Sequence, residues 1–424
     1  MPLEDAKYPR PKLVRIVSRL CIGGVGLQAC ALHEELASSF DTLLIVGRLA
    51  AGEKDMSYLL SSEHNVLRLP KMSREISLWE DALSFWAILK VLRRERPDIV
   101  HTHQAKAGAL GRFASWIAGV PVIVHTFHGH VFQGYFSPLK TRIYLAIERI
   151  LGRLSTRVIT ISESQVREIC SKYRIVPLSK ASVIKDGFEL GHFGQKGRQE
   201  ARKALGLAQD AFVVVWAARM APVKDMQLLA RVIRLAAERL VRAYFLVVGD
   251  GTERALFEAG IRGCENVVLL GWQDDMATIW STADVALLTS RNEGTPTSLI
   301  EAMSSGIPFV STDVGAIRDL TVPPLRELPG GVGFQAANGF LTARTPEAIL
   351  YCLEQAEKDP AVVRKMAALG RAFVLSTFTQ QRLVHEMKAL YHTLLEQSGK
   401  KVYESSQKAS GDEGYRDGRP IRIS

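Results

Sequence analysis

Short runs of β-branched and aliphatic residues, each bounded by turn-forming residues, alternate with amphipathic stretches along most of the chain, and the alternation restarts once past residue 190. The first series is LVRIVS (13–18), TLLIV (42–46), VLRL (66–69), DIVHTH (98–103), PVIVHTF (121–127), RVITIS (157–162) and ASVIKD (181–186), with helical patterns at 26–38, 78–95 and 107–118. The second is AFVVVWAAR (211–219), AYFLVVG (243–249), NVVLLG (266–271), VALLTS (285–290) and PFVSTD (308–313), with helical patterns near 225–240, 252–261, 276–281 and 297–305. Apolar runs of this kind are strands buried on both faces, and strands alternating with helices build parallel sheets. The expected fold class is α/β: two Rossmann-like, doubly wound parallel-sheet domains facing a cleft. The chain divides into an N-terminal domain over 1–190, a Gly-rich linker over 191–210, a C-terminal domain over 211–375, a crossover helix over 376–397 and a polar, disordered tail over 398–424.

Composition narrows the classes of function. With 424 residues, 47% hydrophobic and 23% charged, the chain can bury two ordinary cores and is neither a fibre nor a disulfide-stapled miniprotein. Cys21, Cys30, Cys170, Cys264 and Cys352 are scattered, odd in number and free of any CxxC pair, which fits a reducing cytosol. The start, MPLEDAKYPRPK, has no apolar core of a signal peptide, and no apolar run approaches the roughly 18 residues of a spanning helix. A cytoplasmic location is expected. The net charge of +10 is concentrated: residues 101–185 hold twelve bases against three acids.

In open α/β sheets ligands lie beyond the carboxyl ends of strands, so the chemistry is expected in strand-to-helix loops. The richest is RNEGTPTSLIEAMSSG (291–306). Thr295 suits an N-cap, Pro296 the first helical position, and Gly306 the stop after a helix ending at Ser305. Free N–H groups beside the small side chains of Thr297 and Ser298 form an anion site. Glu293 and Glu301 bracket it, and carboxylates there accept hydrogen bonds from hydroxyls, as a sugar on one side and a ribose on the other would supply.

The pair Glu293-x7-Glu301, within E-G-T-P-x-x-x-I-E-A-M-x-x-G-x-P, resembles the signature of retaining glycosyltransferases of family 4, which have the two-domain GT-B fold. AARMAPVKDMQLL (217–229), VVGDGTERALFEA (247–259), GWQDDM (271–276), STDVGAIRDL (311–320) and NGFL (338–341) resemble further family segments in the same order. The likeness runs from about residue 13 to 395 and extends to enzymes of bacterial surface-polysaccharide assembly.

The resemblance implies a donor site of Arg219, Lys224, Gly294, Thr295, Thr297, Ser298, Leu299 and Glu301. Arg219 and Lys224 would neutralise the diphosphate and Glu301 would hold the ribose. It implies Glu293 on the donor sugar and His128 near the reacting centre as catalytic residues. Two cations and a helix terminus can stabilise a departing nucleoside diphosphate without metal. No DxD motif occurs, and the adjacent Asp274 and Asp275 do not replace it, so no cofactor and no metal are expected. The GDG at 249–251 is a weak signal, since tight turns need glycine anyway.

LCIGGVGLQ (20–28) is a Gly-rich strand-to-helix loop without the full GxGxxG spacing of a dinucleotide fold. It resembles the family's acceptor-side loop, with Gly23, Gly24 and Gly26 letting backbone approach the diphosphate and sugar. Five of ten histidines fall at His101, His103, His125, His128 and His130. Period-two spacing puts His101 with His103, and His128 with His130, on common faces. His101 and His125 read as buried and satisfied. A zinc site is arithmetically open, yet no carboxylate or thiolate lies nearby in sequence.

The basic stretch 132–157 interleaves Tyr135, Phe136, Tyr144 and aliphatics with Lys140, Arg142, Arg149, Arg153 and Arg157. Two readings stay open: a helix lying on an anionic membrane surface, or a core-facing helix with a solvated basic back. No nucleic-acid motif accompanies the charge. Lys185-Asp186-Gly187-Phe188-Glu189 departs from the family's P-N-G-V-D at the hinge entry. The whole reads as a metal-independent retaining transfer of a hexose-type sugar from a nucleotide sugar, UDP-linked, to a carbohydrate or lipid-linked glycan acceptor in polysaccharide biosynthesis. The enzyme would be peripheral on the inner face of the cytoplasmic membrane. A nucleotide-sugar epimerase, which needs no acceptor, shares the two-domain design.

Overall fold

The structure, a computed structural model, describes residues 10–21, 23–50, 53, 55–61, 65–73, 75–129 and 137–400. His130, Tyr135, Phe136 and the tail from residue 401 lie outside the described residues.

Seven strands form the first sheet: β1 (Lys12–Val17), β2 (Asp41–Gly47), β3 (Val66–Leu69), β4 (Ile99–His103), β5 (Val122–Phe127), β6 (Arg157–Thr160) and β7 (Ala181–Val183). They are all parallel, in the order β3-β2-β1-β4-β5-β6-β7. The switch on either side of β1 opens a crevice at the carboxyl ends of β1 and β4. Between the strands run α1 (Gly24–Leu36), α2 (Leu78–Glu95), α3 (Ala105–Ala118), α4 (Pro138–Leu154) and α5 (Glu163–Val166). Alternation along β1 sorts its residues onto two cores. Val14 and Ile16 pack with Ile88, Leu92 and Ala114 of α2 and α3, whereas Leu13 packs with Leu32 of α1 on the other face.

The second sheet holds β8 (Phe212–Ala217), β9 (Ala243–Val248), β10 (Val267–Gly271), β11 (Val285–Leu288), β12 (Phe309–Thr312), β13 (Arg326–Glu327), β14 (Gly333–Ala336) and β15 (Gly339–Thr342). Its order is β10-β9-β8-β11-β12-β15-β14-β13. α6 (Arg198–Ala204) precedes it, and α7 (Met226–Arg239), α8 (Arg254–Gly260), α9 (Met276–Thr282) and α10 (Thr297–Ser304) connect its strands. The sheet is parallel, as expected, except at one edge, where β14 pairs antiparallel with both β15 and β13. The connection between β14 and β15 is only two residues, too short for a parallel crossover, so a hairpin is the available solution.

The chain closes with α11 (Pro346–Lys358), α12 (Pro360–Thr377) and α13 (Gln380–Gln397). α13 returns to the first sheet, laying Leu383, Met387, Tyr391 and Leu394 at helical spacing onto the core that contains Leu13 and Val124. Backbone bonds from Phe188 N to Phe378 O and from Gln380 N to Phe188 O fasten this return to the inter-sheet segment.

Candidate active site

The loop after β11 turns into α10, and its start differs from the sequence expectation by one residue. Pro296, with φ −71° and ψ 113°, is the cap residue and Thr297 opens the helix, because Pro296 is extended rather than helical. No side chain caps this end, so its leading N–H groups remain available to a ligand. The helix stops at Ser304, with Gly306 at φ +75° and Ile307 N bonded to Ala302 O.

The preceding loop is braced from three directions. Gly315, at φ +57°, lies so close that a Cβ there would stand 2.1 Å from Glu293 O. Ala316 N donates to the same carbonyl at 2.9 Å. Arg291 N donates to Val223 O, and Thr289 Oγ1 donates to Lys224 O, which ties the loop to the turn following β8. Asp225 caps α7 and pairs with Arg291 at 3.1 Å, fixing that turn from below. Gly249 and Gly251 sit against Ala218 O and Met220 O, where a Cβ would stand at 2.0 and 2.3 Å. The GDG turn therefore shapes the Arg219 segment through packing.

Lys224 and Glu293 meet: Nζ lies 2.5 Å from Oε1, with both side chains largely buried, and Ser290 Oγ donates to the same oxygen. The expected diphosphate ligand and the expected sugar ligand are thus paired with each other, which holds the cation at the loop leading into α10. Arg219 is exposed and has no hydrogen bond or ion pair among the described residues. Glu301, on the first turns of α10, accepts from Trp280 Nε1 at 3.2 Å; burial pushes its carboxyl up to about 7, with the indole partly opposing this. Leu299 is buried beneath the terminus and packs in the core.

The first domain supplies the opposing wall. Gly23, at φ +145°, caps α1 without a side chain, and a Cβ on Gly24 would stand 3.3 Å from Thr297 Cγ2. The open N-termini of α1 and α10 therefore face one another. Gly26 has a different duty. Its Cβ would stand 2.5 Å from Cys21 O, so it serves packing behind the loop and not the cleft itself.

His128 follows β5, and a Cβ on Gly294 would stand 3.1 Å from its carbonyl oxygen. His128 and the Glu293–Thr295 loop thus meet across the cleft. The His128 ring lies 2.9 Å from His103 through Nε2 and 3.6 Å from Asp186 Oδ1 through Nδ1. Gln28 donates to that Asp186 oxygen at 2.8 Å. As expected, His101 and His125 are buried and satisfied, by Thr126 and Tyr391 and by Thr102 respectively. Sequence reasoning missed Asp186, Gln28, Ser290 and Trp280 as parts of the site. Asp186 carried a signal, being an acid where the family has the neutral asparagine.

Two family models match in order: the "Glycosyl transferase 4-like domain" over residues 23–187 and "Glycosyl transferases group 1" over 211–355. The chain belongs to the group 1 glycosyltransferases. Among its relatives is a UDP-Gal:alpha-D-GlcNAc-diphosphoundecaprenol alpha-1,3-galactosyltransferase of Escherichia coli, 33% identical over 58% of this chain and 65% of that protein. The capsular polysaccharide biosynthesis glycosyltransferase CapM of Staphylococcus aureus is 24% identical over 81% of this chain and 89% of its own length. Solved structures confirm the GT-B fold of this glycosyltransferase. Anabaena HepE in complex with UDP superimposes with a TM-score of 0.72 at 20% identity, covering 90% of this chain and all of that one. The sucrose-phosphate synthase of Thermosynechococcus elongatus gives 0.73 at 18% identity, covering 91% and 100%.

Proposed function

We propose that this glycosyltransferase moves a hexose-type sugar from a UDP-sugar to a hydroxyl of a carbohydrate or lipid-linked glycan, with retention at the anomeric carbon and without metal. The observation carrying this reading is the uncapped amide end of α10, with Gly24 against its first residue and Lys224 held by Glu293 in the loop that leads into it. Charge developing on a departing diphosphate is best stabilised by such pre-positioned donors and cations. Arg219, without a partner among the described residues, closes on the diphosphate when donor binds, and Lys224 divides its charge between Glu293 and the phosphate. Glu301 accepts from the ribose hydroxyls, and Glu293 and His128 hold hydroxyls of the transferred sugar. The bond from C1 to the phosphate oxygen breaks, the bond from C1 to the acceptor oxygen forms on the same face, and the acceptor proton passes to the leaving phosphate. The relatives' activities, one on a diphosphoundecaprenol-linked sugar and one in capsule synthesis, support a lipid-linked acceptor in polysaccharide assembly.

Incubation with a panel of nucleotide sugars and a polyprenyl-diphosphate-linked acceptor, in chelator, tests this. Acceptor-dependent UDP release with an α-linked product supports it. A changed sugar nucleotide formed with no acceptor present would instead identify an epimerase.

A second reading concerns location. No helix among the described residues is long and apolar enough to cross a membrane. Yet α2, α3 and α4 lie side by side and expose Trp79, Trp86, Trp116, Ile143, Ile147 and Ile150 on their outer surface. Lys140, Arg142 and Arg153 flank the isoleucines and are exposed as well. Indoles beside aliphatics and cations fit the headgroup level of an anionic bilayer, which would put the acceptor's lipid near the cleft. Brominated anionic lipids should quench Trp79, Trp86 and Trp116 while sparing the buried Trp216 and Trp280. Unquenched fluorescence at low salt would reject the membrane reading.

A further inference from the structure

Behind His128 lies a run of polar side chains sealed inside the first domain. Arg15 points from β1 to the face covered by α13, is 1% exposed, and has no carboxylate in ion-pair reach among the described residues. Its partners are His103 Nε2 at 3.0 Å, His101 Nδ1 at 3.3 Å and the Tyr391 hydroxyl at 3.4 Å, and its Nε has none. A buried cation facing only neutral groups is an expensive element, and an apolar side chain of similar length would fill the same space.

What a guanidinium provides there is direction. It carries five N–H donors and no acceptor, so any ring nitrogen bonded to it must accept. His103 is fully buried, and burial, with His101 and Arg15 adding to it, pushes its imidazole well below the usual range. The ring is neutral with one proton. Since Nε2 accepts from Arg15, that proton is on Nδ1, which stands 2.9 Å from His128 Nε2. His128 Nε2 then accepts, and the proton of a neutral His128 is on Nδ1, facing Asp186 Oδ1 at 3.6 Å. The side branch obeys the same polarity. His101 Nδ1 accepts from Arg15 and from the Tyr391 hydroxyl at 2.5 Å, leaving its Nε2–H to donate to Thr126 at 2.7 Å.

We propose that Arg15 is a positioning residue: acting through His103, it fixes His128 as the tautomer that accepts at Nε2 and donates from Nδ1 into the cleft. His128 is thereby a hydrogen-bond donor to a substrate hydroxyl, and its occupied Nε2 cannot take up the acceptor's proton. This assigns the proton to the leaving phosphate and rests on the reading that His128 stands at the reacting centre. Because Arg15 and His101 also hold Tyr391 of α13, the crossover helix is part of the same device.

Long-range ¹H–¹⁵N spectra of the full chain labelled at histidine report each ring's tautomer. The expected wild-type spectrum shows His128 and His103 protonated at Nδ1 and His101 at Nε2. In Arg15→Met, His103 and His128 should lose the single tautomer, with kcat falling roughly 10- to 100-fold and donor KM changing about 2-fold at most. The expected pattern for His103→Asn, whose amide donates from near the Nδ1 position, is that it retains the His128 tautomer and most of kcat, whereas His103→Leu loses both. A wild-type His128 protonated at Nε2, or an unchanged His128 signal in folded Arg15→Met, overturns the proposal. Should Arg15→Met fail to fold, the wild-type spectrum and the His103 pair decide. A released tautomer with unchanged turnover would support the relay and remove His128 from the reaction, which separates failure of the two readings.

Discussion

The two walls of the cleft are polar by different means. On the second domain, the polar groups come from consecutive residues of one loop and the amide end of one helix, with Lys224 arriving from a neighbouring turn. On the first domain, they come from the middles and ends of buried strands, from the inter-sheet segment and from a helix returning hundreds of residues later; Arg15 and Tyr391 are separated by 376 positions. The first kind offers charge to a ligand, and the second orients a ring. A wall made for charge should respond to mutation in donor affinity and rate together, and a wall made for orientation in rate alone.

The largest effect is expected at Lys224. Lys224→Ala removes the cation from the loop leading into α10 and leaves the Glu293 carboxylate with Ser290 alone among the described residues, so kcat/KM for the donor should fall by about 10²- to 10³-fold in initial-rate assays. A loss below about 5-fold would dissolve the contrast, since no charge-bearing wall would then be needed.

Glu301 comes next, and its pH behaviour has a definite sign. Its folded value of about 7 lies above the ordinary 4.5, so the folded chain holds an extra proton between those values. Stability from this group is full below pH 4.5 and falls as pH rises through 7. Ribose hydroxyls donate to the ionised form, so UDP affinity should rise between pH 6 and 8. Glu301→Gln should bind UDP more weakly, with a flat pH profile, and should gain melting temperature over wild type at pH 8 more than at pH 5.5. Calorimetry and thermal melts at both pH values check this.

Two glycines on the opposing wall should separate cleanly. Gly24→Val places bulk against Thr297 and should depress turnover with little change in melting temperature. Gly26→Ala forces a Cβ against Cys21 O and should destabilise by about 1–3 kcal/mol with the surviving folded enzyme active. If both variants lose only stability, the α1 terminus is a packing element and not part of the cleft.

The smallest effect is expected at Asp275, which caps α9 and pairs with Lys196; this pairing and Thr278 hold its carboxyl down at about 2. Asp275→Ala should cost about 1 kcal/mol through the lost cap and leave donor turnover unchanged in initial-rate assays.

Legibility in the sequence followed the same division. The strands and helices around both sites could be read because each is a local periodicity, and residues 291–306 could be read because their function is carried by neighbours in the chain. The hairpin β14–β15 escaped because GFQA and GFLT are too short and mixed to stand out as strands. Pairing of Lys224 with Glu293 escaped because it joins two loops 69 positions apart. Arg15 and Asp186 escaped for a stronger reason: a charged side chain in a strand or at a hinge looks solvated until the fold buries it beside a histidine, and Gln28 of α1 escaped because its partner Asp186 is 158 positions away.

The central claim is that a nucleotide diphosphate is held by the amide end of α10 together with Arg219 and Lys224. A crystal structure of the enzyme soaked with UDP tests it most directly. The account predicts phosphate oxygens at about 3 Å from the N–H groups of Thr297 or Ser298 and from the Lys224 ammonium, with the ribose on Glu301. Well-ordered UDP bound elsewhere, with the α10 terminus left to solvent, would contradict it.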